Sequence, residues 1–107
     1  MNKRYLSYTM ALILQAVHNG YRHGFDIMTI TGLPSGTVYP ALRRLEDASL
    51  VTSKWESPRV SQAAPRPARK YYETTKAGQD ALTDARQRFR LLTHLDPVSH
   101  DPALEKG

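Results

Sequence analysis

Apolar residues recur along the first part of the chain at Leu6, Met10, Ile13, Leu14 and Val17, steps of four, three, one and three. That spacing lays one apolar stripe along an amphipathic helix, and Asn19 with Gly20 should end it. After Tyr21 to Gly24, the stretch Phe25 to Thr31 reads as a second, short helix closed by Gly32 and Pro34. Ser35 then caps a third helix. Its apolar positions Val38, Ala41, Leu42 and Leu45 recur at steps of three, one and three and leave Thr37, Tyr39, Arg43 and Arg44 on the remaining surface. Pro40 lies inside this segment, where it removes a helical hydrogen bond and crowds the turn before it, so a distorted first turn is expected.

From Leu50 to Glu56 the period changes to two. Val51, Ser53 and Trp55 share one face, and Thr52, Lys54 and Glu56 the other, as in a half-buried strand. Trp55 is therefore expected in the core or as a platform at the hairpin base. A second strand is expected over Arg69 to Thr74. Between the strands, Ser57 to Ala68 carries three prolines, two arginines and no acid, the composition of a mobile, positively charged loop. Thr75 or Thr74 caps a fourth helix running to about His94, with an apolar line of Ala81 or Leu82, Ala85, Phe89 and Leu92. Residues 96–107 contain Pro97, Pro102 and Gly107 and look like a flexible tail. The expected organisation is a body over 1–75, a helix over 76–95 and a tail over 96–107.

Charge narrows the function. The 107 residues suit one small domain and carry 15 Lys and Arg against 10 Asp and Glu, a formal net charge of +5. Asp96, Asp101 and Glu105 outweigh Lys106 in the tail, so the rest of the chain is more basic than the whole, and a polyanion is the expected partner. The absence of Cys excludes a disulfide framework, a thiolate metal site and a Cys nucleophile. No apolar run approaches the length needed to cross a bilayer, and Gln15, His18 and Asn19 interrupt the segment that a signal peptide would need apolar; a cytoplasmic location without membrane contact is expected.

The order of elements predicts a mainly α fold with a small β-hairpin, α-α-α-β-wing-β-α, which is that of a winged helix-turn-helix domain. In such a fold the third helix enters the major groove of double-stranded DNA and the hairpin is the wing. Small polar residues in the first turn, here Ser35, Gly36 and Thr37, permit close backbone approach, and Arg43 and Arg44 supply long donors. Tyr39 offers a hydroxyl and a flat ring to phosphate, sugar or a thymine methyl, or else packs against the first helix. Arg43 is as well suited to a solvated pair with Asp47. Lys54, Arg59, Arg66, Arg69 and Lys70 complete the basic set, and the last four, with no acid among them from Ser57 to Tyr72, would repel one another without a counter-charge.

These residues resemble the PadR-type transcriptional regulators from about Leu6 to Leu82. The resemblance rests on the run from Gly36 to Glu46, the strand start Leu50-Val51, and Arg66 to Tyr72 leading into Thr74 to Gly78. It implies a homodimeric repressor whose last helix makes much of the interface, placing Leu6, Met10, Leu82, Ala85, Phe89 and Leu92 there, with the stripe of the last helix open to packing against the first helix as well. It also implies that some members release DNA on binding a small aromatic inducer, although a very short second helix and a single helix after the wing leave little room for an internal pocket here. The alternative reading is a winged helix that presents the same surfaces to an acidic protein. No cofactor, metal site or enzyme chemistry is expected. His18, His23, His94 and His100 include no pair at helical ligand spacing, and no nucleophile stands beside a base.

Overall fold

The computed structural model describes residues 6–57, 59 and 66–90. In order these form α1 (Tyr8–His18), α2 (Gly24–Thr31), α3 (Ser35–Asp47), β1 (Val51–Trp55), β2 (Lys70–Thr74) and α4 (Lys76–Arg88). The fold is the mainly α winged helix-turn-helix expected from the sequence. Most of the expected loop, residues 91–94 of the last helix with Leu92 and His94, and the 96–107 tail lie outside the described residues, as does His100.

The first helix is the hub. The Ser7 hydroxyl accepts from the Met10 N–H to start it, and it ends at Gly20, at φ 104°, where the Gly20 N–H returns to the Val17 carbonyl and the Tyr21 N–H to the Ala16 carbonyl. Its five consecutive residues 13–17 are all buried, so the helix is enclosed on more than the single stripe its apolar spacing suggests. It packs against α2, α3, α4 and β2. Ile13, Leu14 and Val17 meet Ile27, Val38, Leu42, Leu45, Val51, Tyr72 and Leu82 in one core. Each fully buried aliphatic side chain contributes about 1.5–3 kcal/mol.

One local expectation is corrected. Pro34, not Ser35, is the N-cap of α3: its φ of −76° and ψ of 162° hold the extended geometry a cap needs, and Ser35 is already helical. Pro40 lies inside the helix and its first turn departs from regular α geometry, as the sequence suggests. The Pro34 carbonyl accepts from both Thr37 (2.9 Å) and Val38 (3.0 Å), which tightens the first turn, and the acceptor that Pro40 leaves without a donor belongs to exposed Gly36. The turn between α2 and α3 follows the sequence reading, with Gly32 at φ 76° closing α2.

The strands pair antiparallel with Val51 opposite Thr74 and Trp55 opposite Lys70. The free edge of β2 is joined by the link before α2, through a bridge between His23 and Tyr71 and a bond from the Tyr72 N–H to the Arg22 carbonyl (2.8 Å). Strand β2 is thus paired along both edges. Trp55 is not in the core: it is 64% exposed at the end of β1, with Lys70 over its ring.

The final helix is tied to the hairpin base. Thr75 caps it by accepting from the Gly78 N–H (2.9 Å), donates its hydroxyl to the Ser49 carbonyl (2.7 Å), and bonds the Leu50 carbonyl through its own N–H (3.0 Å). The regular helix runs to Arg88, where Phe89 takes extended geometry, and the expected continuation to His94 passes into residues outside the described ones. Leu82 and Ala85, expected at a subunit interface, are buried by the chain's own α1. Helical periodicity marks an apolar face without saying whether its partner is the same chain.

One close approach dominates this corner. A Cβ placed on Gly78 would lie 2.0 Å from the Leu50 carbonyl oxygen, which the Thr75 bond holds in place. Gly78→Ala should therefore destabilise the fold by about 3 kcal/mol, the upper end of ordinary overpacking, read as a lowered urea midpoint.

Candidate nucleic-acid interface

The exposed side of α3 is built by subtraction. Val38, Ala41, Leu42 and Leu45 bury one side, so Gly36, Pro40 and Arg43, at helical spacing, form the opposite ridge. Ser35 and Gly36 are exposed at its start and Thr37 is half-buried. A Cβ on Gly36 would meet nothing within 4 Å, leaving an open notch one turn before Pro40. Arg43 and Arg44 are exposed, and neither makes a salt bridge or hydrogen bond among the described residues. The Arg43–Asp47 pair allowed by spacing does not form.

Tyr39 is held by a second glycine contact. A Cβ on Gly24 would fall 2.3 Å from the Tyr39 hydroxyl oxygen, so the phenol lies directly over the first residue of α2, not against α1. Its ring nevertheless remains 49% exposed. Packing and presentation to a ligand are compatible here.

The wing cations divide by partner. Arg66 grips Glu56 with both guanidinium nitrogens, at 2.9 and 2.7 Å, and the Glu56 side chain is only 4% exposed. That carboxylate also accepts from the Arg69 backbone N–H (3.3 Å) and the Tyr71 hydroxyl (3.2 Å). The Arg66 bonds, helped by these two and opposed by burial, pull the Glu56 carboxyl down from 4.5 to about 2, and the same pair raises Arg66. Arg69 donates to His23 Nε2 (3.3 Å), itself 3.0 Å from Asp26 Oδ2. Lys70 stands 3.7 Å from Glu46 Oε1 and over the rings of Trp55 and Tyr72, at 5.7 and 5.8 Å from their centroids. The counter-charge missing from the loop sequence is therefore supplied from just outside it, by Glu56, and from α3, by Glu46.

A cleft of about 600 Å³ opens between the start of α2, α3 and the hairpin, and it brings Tyr39, Arg66, Arg69 and Lys70 together. Among the described residues no acid lines it. Lys54 is separate: it faces a second hollow, of about 410 Å³, on the other face of the hairpin, beside Arg22 and Glu73, which pair with each other. Arg59 is exposed. Sequence reasoning missed Glu56 and His23 as the anchors of this wing. The signal for Glu56 was an acid at the end of a strand pattern immediately before an arginine-rich loop; for His23 there was none.

Among the described residues no helix is long and apolar enough to cross a membrane, and no three metal-ligating side chains gather.

The family model described as the transcriptional regulator PadR-like family matches residues 13–84. No curated protein matches the chain. Among solved structures the chain is similar to a PadR family transcription regulator from Clostridium difficile, with 26% identity over 83% of this chain and 94% of that one and a TM-score of 0.67. It is similar to a PadR-like transcription factor from Bacteroides fragilis, with 26% identity over 79% and 82% and a TM-score of 0.62. The fold is also shared with Bordetella bronchiseptica BpsR, a protein whose DNA binding is regulated by 6-hydroxynicotinic acid, at 17% identity over 96% of this chain and 74% of that one and a TM-score of 0.66.

The depressed Glu56 carboxyl sets an acid limit on the hairpin. A carboxyl held below its unfolded value stabilises the folded chain above about 4.5 and loses that contribution as the pH falls toward about 2. Urea midpoints measured across this range should fall more steeply for the native chain than for Glu56→Gln, which has no proton to take up there.

Proposed function

The chain belongs to the PadR-like family of transcriptional regulators, and from that membership we propose that it is a homodimeric repressor that binds double-stranded DNA through α3 and the wing. The observation that carries the reading is the ridge of α3, where open space at Gly36 adjoins two arginines with no acidic partner among the described residues. A helix that lies in the major groove needs such a notch for the backbone to come near the bases, and unpaired donors further along to reach their edges or the flanking phosphates.

In this reading Ser35, Gly36, Thr37 and Arg43 meet the groove, while Arg44 and Arg59 neutralise phosphates. Tyr39, Arg69 and Lys70 contact the backbone along the cleft. Arg66 serves chiefly to brace the wing through Glu56, and Lys54, on the opposite hairpin face, stands apart. A transcription regulator of this kind performs no reaction, and the geometry is that of a binding surface. Repression follows from occupancy of a promoter.

The dimer is proposed to form through residues 76–95 and the start of α1. With Leu82 and Ala85 already covered, the surface left for a partner is Leu6, Met10, Tyr8, Leu12 and Phe89, all half-buried in the single chain; Leu92, assigned to the interface from the sequence, lies outside the described residues. Tyr8 and Phe89 meet edge to face, with centroids 5.4 Å apart, and give this surface an aromatic centre. Two α3 helices related by a two-fold axis would enter successive major grooves roughly 34 Å apart, so the operator should be an inverted repeat.

Light scattering should give about twice the 12.1 kDa chain mass, and fluorescence anisotropy with duplex DNA should show affinity that falls steeply with salt. Arg43→Ala and Arg44→Ala should each weaken binding, and removing a phosphate contact should lower the salt slope by about 1, whereas Lys54→Ala leaves that slope unchanged. Gly36→Ala should raise thermal stability by about 0.5–1 kcal/mol, since the helix gains an alanine in open space, yet reduce DNA affinity. Unchanged affinity in the Gly36 and both arginine variants would remove α3 from the interface.

A further inference from the structure

Among the described residues four large apolar side chains are prominently exposed, namely Phe25, Ile30, Tyr39 and Trp55, and three of the four line the cleft between α2, α3 and the wing. Scattered surface apolar residues call for no explanation, but a convergent set does. Phe25 is 66% exposed in the first turn of α2, and Trp55 is 64% exposed at the end of β1. Neither ring completes the core. Lys70, opposite Trp55 in the hairpin, stands over the indole face, and no acid among the described residues lines the walls. Glu56 and Glu46, which pair with Arg66 and Lys70, lie outside that lining, so aromatic surface among cations is what the cleft presents, and it fits a ligand that alternates apolar faces with negative charge.

We infer that Phe25 and Trp55 are two apolar jaws that hold the deoxyribose faces of one strand of duplex DNA, while Lys70, Arg69 and the Tyr39 hydroxyl take the phosphates between them. The inference rests on the DNA-binding reading and adds to it two residues that no charge or groove argument selects. In an intact duplex the base faces are stacked and closed to side chains, so an aromatic ring beside the helix meets sugar C–H surface. If α3 enters the groove and the wing follows the backbone, the strand bordering that groove passes through the space between them, which is this cleft. The sugar–phosphate chain supplies the required alternation at every nucleotide, independent of sequence. The jaws therefore add affinity without adding base selectivity, and without the salt dependence that accompanies charge neutralisation.

Trp55 is the only tryptophan of the chain, so its fluorescence reports on the cleft directly. The test uses the full chain and a random-sequence duplex at low salt, with acrylamide quenching of Trp55 in the free and saturated states and labelled-duplex anisotropy for the variants. Covering the ring should cut its accessibility to the quencher by roughly half or more. Phe25→Ala and Trp55→Ala should each weaken duplex binding roughly three- to tenfold with the slope of log affinity against log salt unchanged, and Trp55→Phe, which keeps an aromatic face, should recover most of the loss. Both side chains are solvent-facing, so circular dichroism should show the variants folded.

Affinities within about twofold of the native chain for Phe25→Ala and Trp55→Ala would overturn the proposal. Equal quenching of Trp55 in the free and DNA-bound states would do so too. A lowered salt slope in Phe25→Ala would mean that the ring acts by placing a cation, and tighter binding with stronger Trp55 protection on a single strand would mean that the rings stack on bases; each excludes the sugar contact. Native protein that binds duplex without covering Trp55 removes this inference alone, whereas native protein that binds no duplex removes it together with the DNA-binding reading.

Discussion

A chain of this size has material for one core, and it centres that core on a single helix enclosed by four neighbours. The residues of α1 from 13 to 17 are buried in succession, against the hairpin, α2, α3 and α4. Small side chains at Ala11 and Ala16 allow neighbours close to the axis, and buried Gln15 meets the Arg86 guanidinium with its side-chain oxygen (3.0 Å), so even the polar position has a partner. Because each surrounding element buries its apolar side against α1, each turns its other side outward. The orientation of the α3 ridge is thus a consequence of how Val38, Leu42 and Leu45 reach Ile13, Leu14 and Val17.

The same economy governs the charges. A basic wing needs counter-charge to hold its shape, but any acid placed on its outer surface would repel the polyanion proposed to bind there. The conflict is met by position. Glu56 lies under the hairpin base with 4% of its side chain exposed, and there it binds Arg66 in two-point geometry while remaining hidden. Glu46 faces the hairpin from α3 and accepts from the Ser53 hydroxyl as well as standing near Lys70. Arg43 and Arg44 carry no such partner among the described residues. Cations that shape the site and cations that face outward are therefore different residues of one basic sequence.

Much of this was legible in the residue order. The apolar periods place α1, α3 and the hairpin, Gly32 ends α2 as read, and Thr75 is the cap that its position before Lys76 suggests. Where the reading failed, the deciding contact is distant in sequence. Periodicity marks Leu82 and Ala85 as apolar-facing but does not distinguish a subunit partner from α1, more than sixty residues earlier. Alternation groups Trp55 with Val51 and Ser53, yet the burial of a strand face lasts only as far as the element beneath it. Charge counting finds the wing cations but not their pairing, since Arg69 reaches back to His23 across the fold. Pro34 displaced Ser35 as the cap because a fixed φ near −76° outweighs a side-chain oxygen that takes no N–H there.

What unites the α3 ridge and the wing into one surface is the set of contacts that fix their spacing. On one side Tyr39 rests over Gly24, so the start of α2 and the middle of α3 approach to a distance that a single methyl group would prevent. On the other, β2 is held between β1 and the Arg22–His23 link, and Thr75 with Gly78 locks the end of α3 to the start of α4 through Ser49 and Leu50. Ser49 takes φ 62° to make this corner, a left-handed conformation that a serine adopts only against some strain. The Ser49 and Leu50 N–H groups return to Glu46 and Leu45, and the Ser49 carbonyl receives the Thr75 hydroxyl, which offsets that cost. A cleft whose walls are set by such close backbone approaches has a width that side-chain motion alone does not change, which is the condition for recognising a polymer of fixed cross-section by shape and charge.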